Sequence, residues 1–187
     1  MKLKNIDIVF LLFLLSFLPY TYFITVHETE ISNYGTTLSS FIGDLRKRNE
    51  LFIQCFVITS FFFLAYIFMK HREITLFSAI LIVSTFGLLY APEQFQLWTH
   101  TVFAVSSLFV ILIFMGFYSV LMHSCILGIL FFINILLFAY ICIFFRTKNI
   151  VYMEVMYILY FLLFLGVMHN AKIPSMPQMP KLSFSIL

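Results

Sequence analysis

The sequence predicts an all-α integral membrane protein, built as a bundle of six membrane-spanning helices. Of its 187 residues, 63% are hydrophobic and only 10% are charged, whereas a soluble domain is about 45–50% apolar and about 25% charged. The apolar residues also fall in long runs, and roughly 20 such residues in a helix cross the hydrocarbon core of a bilayer. This composition excludes a soluble globule and a disordered chain.

Six apolar runs predict the six spans. The stretch from Gln96 to Phe145 has no Lys, Arg, Asp or Glu, so it predicts two spans joined by a turn that lies between Gly116 and Ser124. Pro19 predicts a bend or a local opening in the first span. Together the spans form one domain, residues 1–168, with the predicted spans at 8–26, 51–69, 75–91, 98–116, 125–145 and 150–168.

Alternating spans divide the loops between the two ends of the bundle. The end that holds both termini and the second and fourth loops is called the terminal end below, and the other the loop end. At the terminal end we expect basic residues and three histidines, His71, His123 and His169, while polar and acidic residues concentrate at the loop end. The Lys and Arg count slightly favours termini in the cytoplasm of a cell-membrane or endomembrane protein.

Two segments outside the spans show patterns of their own. In the first loop, Leu38, Phe41, Ile42 and Leu45 recur at helical spacing, which predicts a short helix lying in the membrane interface. A loop helix packed on the rim of the bundle is the alternative. The tail, residues 169–187, places Pro174, Pro177 and Pro180 at intervals of three, which fits either a protein-partner motif or a solvated tail.

Several kinds of chemistry find no support in the sequence. A net charge of +3 without a basic patch excludes a nucleic-acid partner, and we predict no cofactor because no glycine-rich phosphate loop or catalytic signature occurs. Cys55, Cys125 and Cys142 lie inside apolar stretches and are interpreted as small core hydrophobes.

The candidate site is a group of polar residues at the loop end. Glu154 is the one acid inside a span, and charges at membrane depth usually face a cavity or a partner. His100 opens the fourth span from the same end, so the pair is expected to bind a headgroup, shuttle a proton or hold a metal. As alternatives, Glu154 reaches out to the headgroups or only pins two helices, and His100 is a structural residue. The predicted binding residues are Glu30, Ser32, Asn33, Glu93, His100 and Glu154.

Two further polar residues lie deep in predicted spans. Asn134 is in the fifth span and Gln54 in the second. Both are interpreted as interhelical hydrogen-bonding groups.

Residues 31–37, Ile-Ser-Asn-Tyr-Gly-Thr-Thr, resemble the Ile-Ser-Asp-x-Gly-Thr-Thr signature of the damage-regulated autophagy modulator superfamily. A long first loop, His100 and Glu154 follow in a similar order. Asn33 stands where that superfamily often has Asp, and Thr101 where an Asp follows the His. The resemblance implies a six-helix bundle associated with membrane lipid organisation or trafficking.

The leading functional hypothesis is a non-enzymatic membrane protein that binds lipid or a membrane partner through the polar end. The first alternative is a membrane-embedded enzyme acting on lipid, with His100 as base and Glu154 as acid or orienting group. The second alternative is a small proton-coupled transporter that uses Glu154.

Overall fold

A computed structural model describes residues 4–26, 49–70, 75–90, 93–144 and 150–171. All regular structure in these ranges is helical, as the sequence predicts. The six helices are α1 Asn5–Val26, α2 Asn49–Lys70, α3 Thr75–Tyr90, α4 Glu93–Leu121, α5 Cys125–Ile143 and α6 Ile150–Asn170. Three of them contain stretches long and apolar enough to cross a membrane, namely Leu97–Leu121, Cys125–Ile143 and Tyr152–Asn170.

The first two helices pack antiparallel along their length. Phe10 meets Tyr66 near the terminal end, with ring centroids 4.8 Å apart, and further along the Thr59 hydroxyl donates to the Ser16 carbonyl at 2.9 Å. Pro19 lies inside α1, and a proline loosens the helical turn before it. The helix nevertheless continues through Pro19 to Val26.

A tight turn joins α4 to α5 at the end of the range in which the sequence predicts it, so α4 is longer than the predicted span. Helix α4 ends at Leu121, His123 takes a positive φ of 47°, and the Ser124 side chain caps the first turn of α5. Gly116, predicted to open the turn, is instead helical. A Cβ there would lie 2.9 Å from the Phe131 ring, so this glycine makes room for α5 rather than breaking α4.

Helix α3 packs on α4 through a similar notch. A Cβ on Gly87 would lie 2.4 Å from the ring of Phe103, a distance that real side chains do not tolerate. Because Gly87 has no side chain, the Phe103 ring of α4 can pack directly against α3.

The main core joins α1, α2, α4, α5 and α6. Its fully buried members are mostly aromatic or long aliphatic side chains: Tyr66, Met115, Tyr118, Leu127, Phe164, Leu165 and Met168. Outside this core, large apolar side chains follow one exposed stripe on α4 (Val102, Val105, Phe109, Ile113, Phe117) and another on α5 (Ile126, Ile129, Phe132, Leu136). Soluble proteins rarely expose such continuous apolar surface, and lipid is the solvent that suits it.

Several predictions fall outside the described residues. They are the interfacial helix around Leu38–Leu45 and the tail prolines Pro174, Pro177 and Pro180. Where the tail was predicted to start, α6 continues to Asn170, so His169 belongs to the bundle.

The cysteine prediction is right for one residue and wrong for two. Cys55 is buried, whereas Cys125 and Cys142 are exposed near the two ends of α5. The reason is that α5 directs one stripe of its side chains away from the other helices, so an apolar stretch there does not imply the core.

Candidate functional site

Two of the six predicted binding residues are described in full, and both are buried. His100 is 2% exposed on α4, and Glu154 is 6% exposed on α6. Glu93 begins α4, but its side chain lies outside what the structure describes, as do Glu30, Ser32 and Asn33. The burial of Glu154 does not fit the alternative in which this carboxyl reaches out to the headgroups.

The register between α4 and α6 fixes how far apart the two residues lie along the bundle. These helices run parallel, since the Tyr157 hydroxyl donates to the Leu108 carbonyl at 2.6 Å, and Phe114 further along α4 packs on Phe161. By these two pairs, Glu154 is level with the residue five to seven positions after His100, an axial offset of about 7–10 Å. Along the bundle axis, His100 and Glu154 are thus separated by about two helical turns, both toward the loop end.

Exposed amphipathic aromatics lie at the same end of the bundle. Trp98 is 83% exposed near the start of α4, Tyr152 is exposed near the start of α6, and Tyr22 is exposed near the end of α1. Because α1 runs opposite to α4 and α6, all three lie at the loop end. Trp and Tyr in such positions form the belts at membrane–water interfaces. His100 and Glu154 each follow a belt residue by two positions, about 3 Å deeper along the helix axis.

The structure shows a second polar cluster, which the sequence analysis missed, at the terminal end. The His169 Nε2 and the Asp7 Oδ1 are 2.9 Å apart, and the His169 Nδ1 lies 3.1 Å from the Tyr66 hydroxyl. With a neutral imidazole, both contacts are satisfied when Nε2–H donates to Asp7 and Nδ1 accepts from Tyr66. The side chains of His169 and Asp7 are 14% and 36% exposed, so this pair lies at the edge of the core.

Lys70 completes this cluster from the end of α2. Its Nζ donates to the Met168 carbonyl at 3.1 Å and to the His169 carbonyl at 2.7 Å. These are among the last carbonyls of α6, which the regular helical bonds leave free, although the Ala171 N–H also donates to the Met168 carbonyl at 3.1 Å. A cation there also complements the helix dipole. The ammonium of one helix therefore caps the carboxyl end of another.

The cluster corrects the expectation that the terminal end carries basic residues and histidines, with the acids concentrated at the loop end. Asp7 lies in the first turn of α1 at that end, and Glu73 follows α2 in the sequence, outside the described residues. The sequence did contain a signal for Asp7. An acid in the first turn of an apolar helix is favoured by the helix dipole, and here it lies where a membrane boundary is expected. Its partner is 162 residues away, and no local pattern points to it.

Of the two polar residues predicted between helices, Asn134 behaves as expected and Gln54 does not. Asn134 is fully buried and its Nδ2 donates to the Met115 sulfur on α4 at 2.9 Å. Its Oδ1 is buried with no hydrogen-bond partner among the described residues. Gln54 is exposed on α2, because its side of the helix faces away from the other described helices.

A metal site has no support among the residues that the structure describes. In these ranges no three His, Cys, Asp or Glu side chains converge as a metal site would require.

No protein-family model, curated protein or solved structure matches this chain. The class of protein is therefore defined by the fold alone: a helical bundle with at least three helices able to cross a membrane. The resemblance to the damage-regulated autophagy modulator superfamily stays a prediction, and its signature, residues 31–37, lies outside the described ranges.

Proposed function

We propose that this chain is a six-span membrane protein that binds a lipid headgroup at the loop end, through His100 and Glu154. The observation that carries the proposal is the burial of an acid and an imidazole just below a belt of exposed Trp and Tyr. Burying ionisable groups in a membrane is costly, so such groups are usually functional. Their depth, close to the belt, is that of lipid headgroups and ester groups.

The six-span part of the proposal is supported by the distance between the two polar levels. From Tyr152 to His169 on α6, and from Tyr22 to Asp7 on α1, the helices rise about 22–26 Å. The hydrocarbon core of a bilayer is about 30 Å thick. The belt and the terminal cluster are thus spaced to lie near opposite faces of one membrane, and α1 reaches both levels just as α6 does.

Lipid fits the site better than a transported proton. A proton path needs polar groups through the bundle, but Phe114, Phe161 and Phe164 are buried between the two ends in the described core. Among the described residues, the buried polar side chains near mid-depth are Thr59, Ser84 and Asn134, on three different helices, and the Thr59 hydroxyl is bonded to the Ser16 carbonyl. The axial offset of about 7–10 Å between the levels of His100 and Glu154 suits contacts to separate groups of one headgroup.

Lipid retention tests the proposal. The full chain is purified in mild detergent, and the phospholipid that stays bound through gel filtration is quantified by mass spectrometry. We expect wild-type protein to retain lipid and Glu154→Gln to retain several-fold less, because the amide keeps the shape of the carboxyl but not its charge. Asp7→Asn, the same chemical change at the terminal end, is the matched control and should retain the wild-type amount.

Equal retention by wild type, Glu154→Gln and His100→Gln would contradict the proposal. The enzymatic alternative rests on the same two residues, and their burial toward the same end of two parallel helices is what favours it. It is separated by the fate of the lipid: an enzyme releases a fatty acid or headgroup from phospholipid vesicles over time, whereas a binding protein leaves the lipid intact.

A further inference from the structure

His169 lies between two helices at the terminal end, and the groups around it belong mainly to α1. Asp7 is hydrogen bonded to its Nε2. The Phe10 ring is stacked on the imidazole, with centroids 4.4 Å apart and an angle of 11° between the planes. From α2, the Tyr66 hydroxyl meets Nδ1. One side chain of the last helix therefore contacts the first helix through both a carboxylate and an aromatic face.

Both α1 contacts strengthen when the imidazole carries a proton. A hydrogen bond from a cation to a carboxylate is roughly twice as strong as one between neutral groups, and an aromatic face attracts a cation within about 6 Å. Histidine is also the side chain whose charge ordinarily changes between pH 5 and 8. The contacts of α1 with α6 are thus built from groups that respond to the charge of His169.

Groups on the other elements act against protonation. The Lys70 ammonium, bonded to the His169 carbonyl, is a like charge close by. A protonated Nδ1 would also have to donate to Tyr66, which turns the phenol from donor to acceptor. Among the described residues, the charged and titratable groups in contact with His169 are Asp7 from α1 and Tyr66 and Lys70 from α2. The Lys4 backbone N–H donates to the other Asp7 oxygen, and Tyr118 on α4 belongs to the adjoining core.

We propose that His169 is a proton-binding site that sets how tightly α1 is held against α2 and α6. Protonation favours the docked α1 because the two groups that prefer the cation, Asp7 and Phe10, both lie on that helix. The groups that oppose protonation, the Lys70 ammonium and the Tyr66 hydroxyl, lie on α2, which has its own contacts with α1 and α6. At lower pH the first turns of α1 are docked more firmly, and at higher pH they open more often.

Hydrogen exchange of the full chain in detergent micelles tests this. Amide protection in residues 5–10 is measured at pH 5.5 and 7.5 and corrected for the intrinsic pH dependence of exchange. We expect protection there to be several-fold greater at pH 5.5, with little change in the middle of α4. The difference should disappear in His169→Gln and persist in His123→Gln, which removes an exposed histidine at the same end.

Asp7→Asn is the second variant, chosen because its side chain is partly exposed and the helix tolerates an amide in its first turn. It keeps a hydrogen-bonding group but loses the charge, so its pH dependence should be much weaker than that of the wild type. Protection of residues 5–10 that is independent of pH in the wild type would overturn the proposal. So would an unchanged pH dependence in His169→Gln or in Asp7→Asn.

Discussion

The two ends of the bundle use their polar groups in different ways. At the terminal end, Asp7, His169 and Lys70 bond to one another or to helix carbonyls, and they tie α1 and α2 to the end of α6. At the loop end, His100 and Glu154 are buried more deeply, one each on α4 and α6. The comparison shows that polar residues near the ends of an apolar bundle can join helices, or can be buried close to exposed aromatic residues, which is the arrangement behind the proposed lipid site.

The largest effect that tests this comparison is expected in the core shared by both ends. Phe164 is fully buried on α6 against Phe114. Phe164→Ala should lower the free energy of unfolding by about 3 kcal/mol, because the cavity removes packing contacts that the bundle cannot recover. Unfolding in mixed micelles with increasing SDS measures it. Leu163→Ala, at an exposed neighbouring position, should cost far less, and equal losses would show that this core does not hold the ends together.

The next effect separates the terminal end from the loop end. Lys70→Met keeps the apolar stem but removes the donor to two α6 carbonyls, which should cost about 1.5–3 kcal/mol, the range for hydrogen bonds of charged groups. The same SDS titration measures the loss. Lipid retention should stay at the wild-type level, because the change lies at the opposite end from His100 and Glu154. A parallel loss of lipid in the folded variant would mean that the ends do not act separately.

The smallest effect on stability is expected for a substitution that tests how the loop end is positioned. Tyr157→Phe removes the hydroxyl that donates to the Leu108 carbonyl at 2.6 Å and links α6 to α4. The expected cost is about 0.5–1.5 kcal/mol. Lipid retention should fall more than this small loss suggests, because the bond sets the register between His100 and Glu154. Tyr160→Phe, a partly exposed tyrosine on the same helix, is the control, and equal retention in both variants would argue against a role for this register.

Much of the fold followed from local properties of the chain. The apolar runs predicted all six helices to within a few residues at most of their ends, because helix formation in an apolar stretch satisfies the backbone without help from distant residues. The end of α4 was misplaced because Gly116 looks like a turn residue in sequence. Only the Phe131 ring, packed against it from α5, shows that the glycine serves close approach.

The candidate site was predicted in part. Glu154 and His100 were identifiable because an ionisable group in an apolar run is unusual wherever it points. Their burial could not be predicted, because side chains point in every direction around an α-helix and the sequence does not say which face of the helix meets a neighbour. The same ambiguity explains why Gln54, Cys125 and Cys142 were assigned to the interior although they are exposed.

The sequence by itself determined that this chain is helical and built for lipid, and which few residues break its apolar runs. The tertiary structure decided what those residues do. It paired Asp7 with His169, 162 positions apart in the sequence, and placed the Lys70 ammonium at the carboxyl end of α6. It also buried His100 on α4 and Glu154 on α6, two parallel helices, close to the exposed Trp and Tyr residues. The physical reason is that helix formation depends on local sequence, whereas the partner of a polar side chain depends on which helix faces lie together.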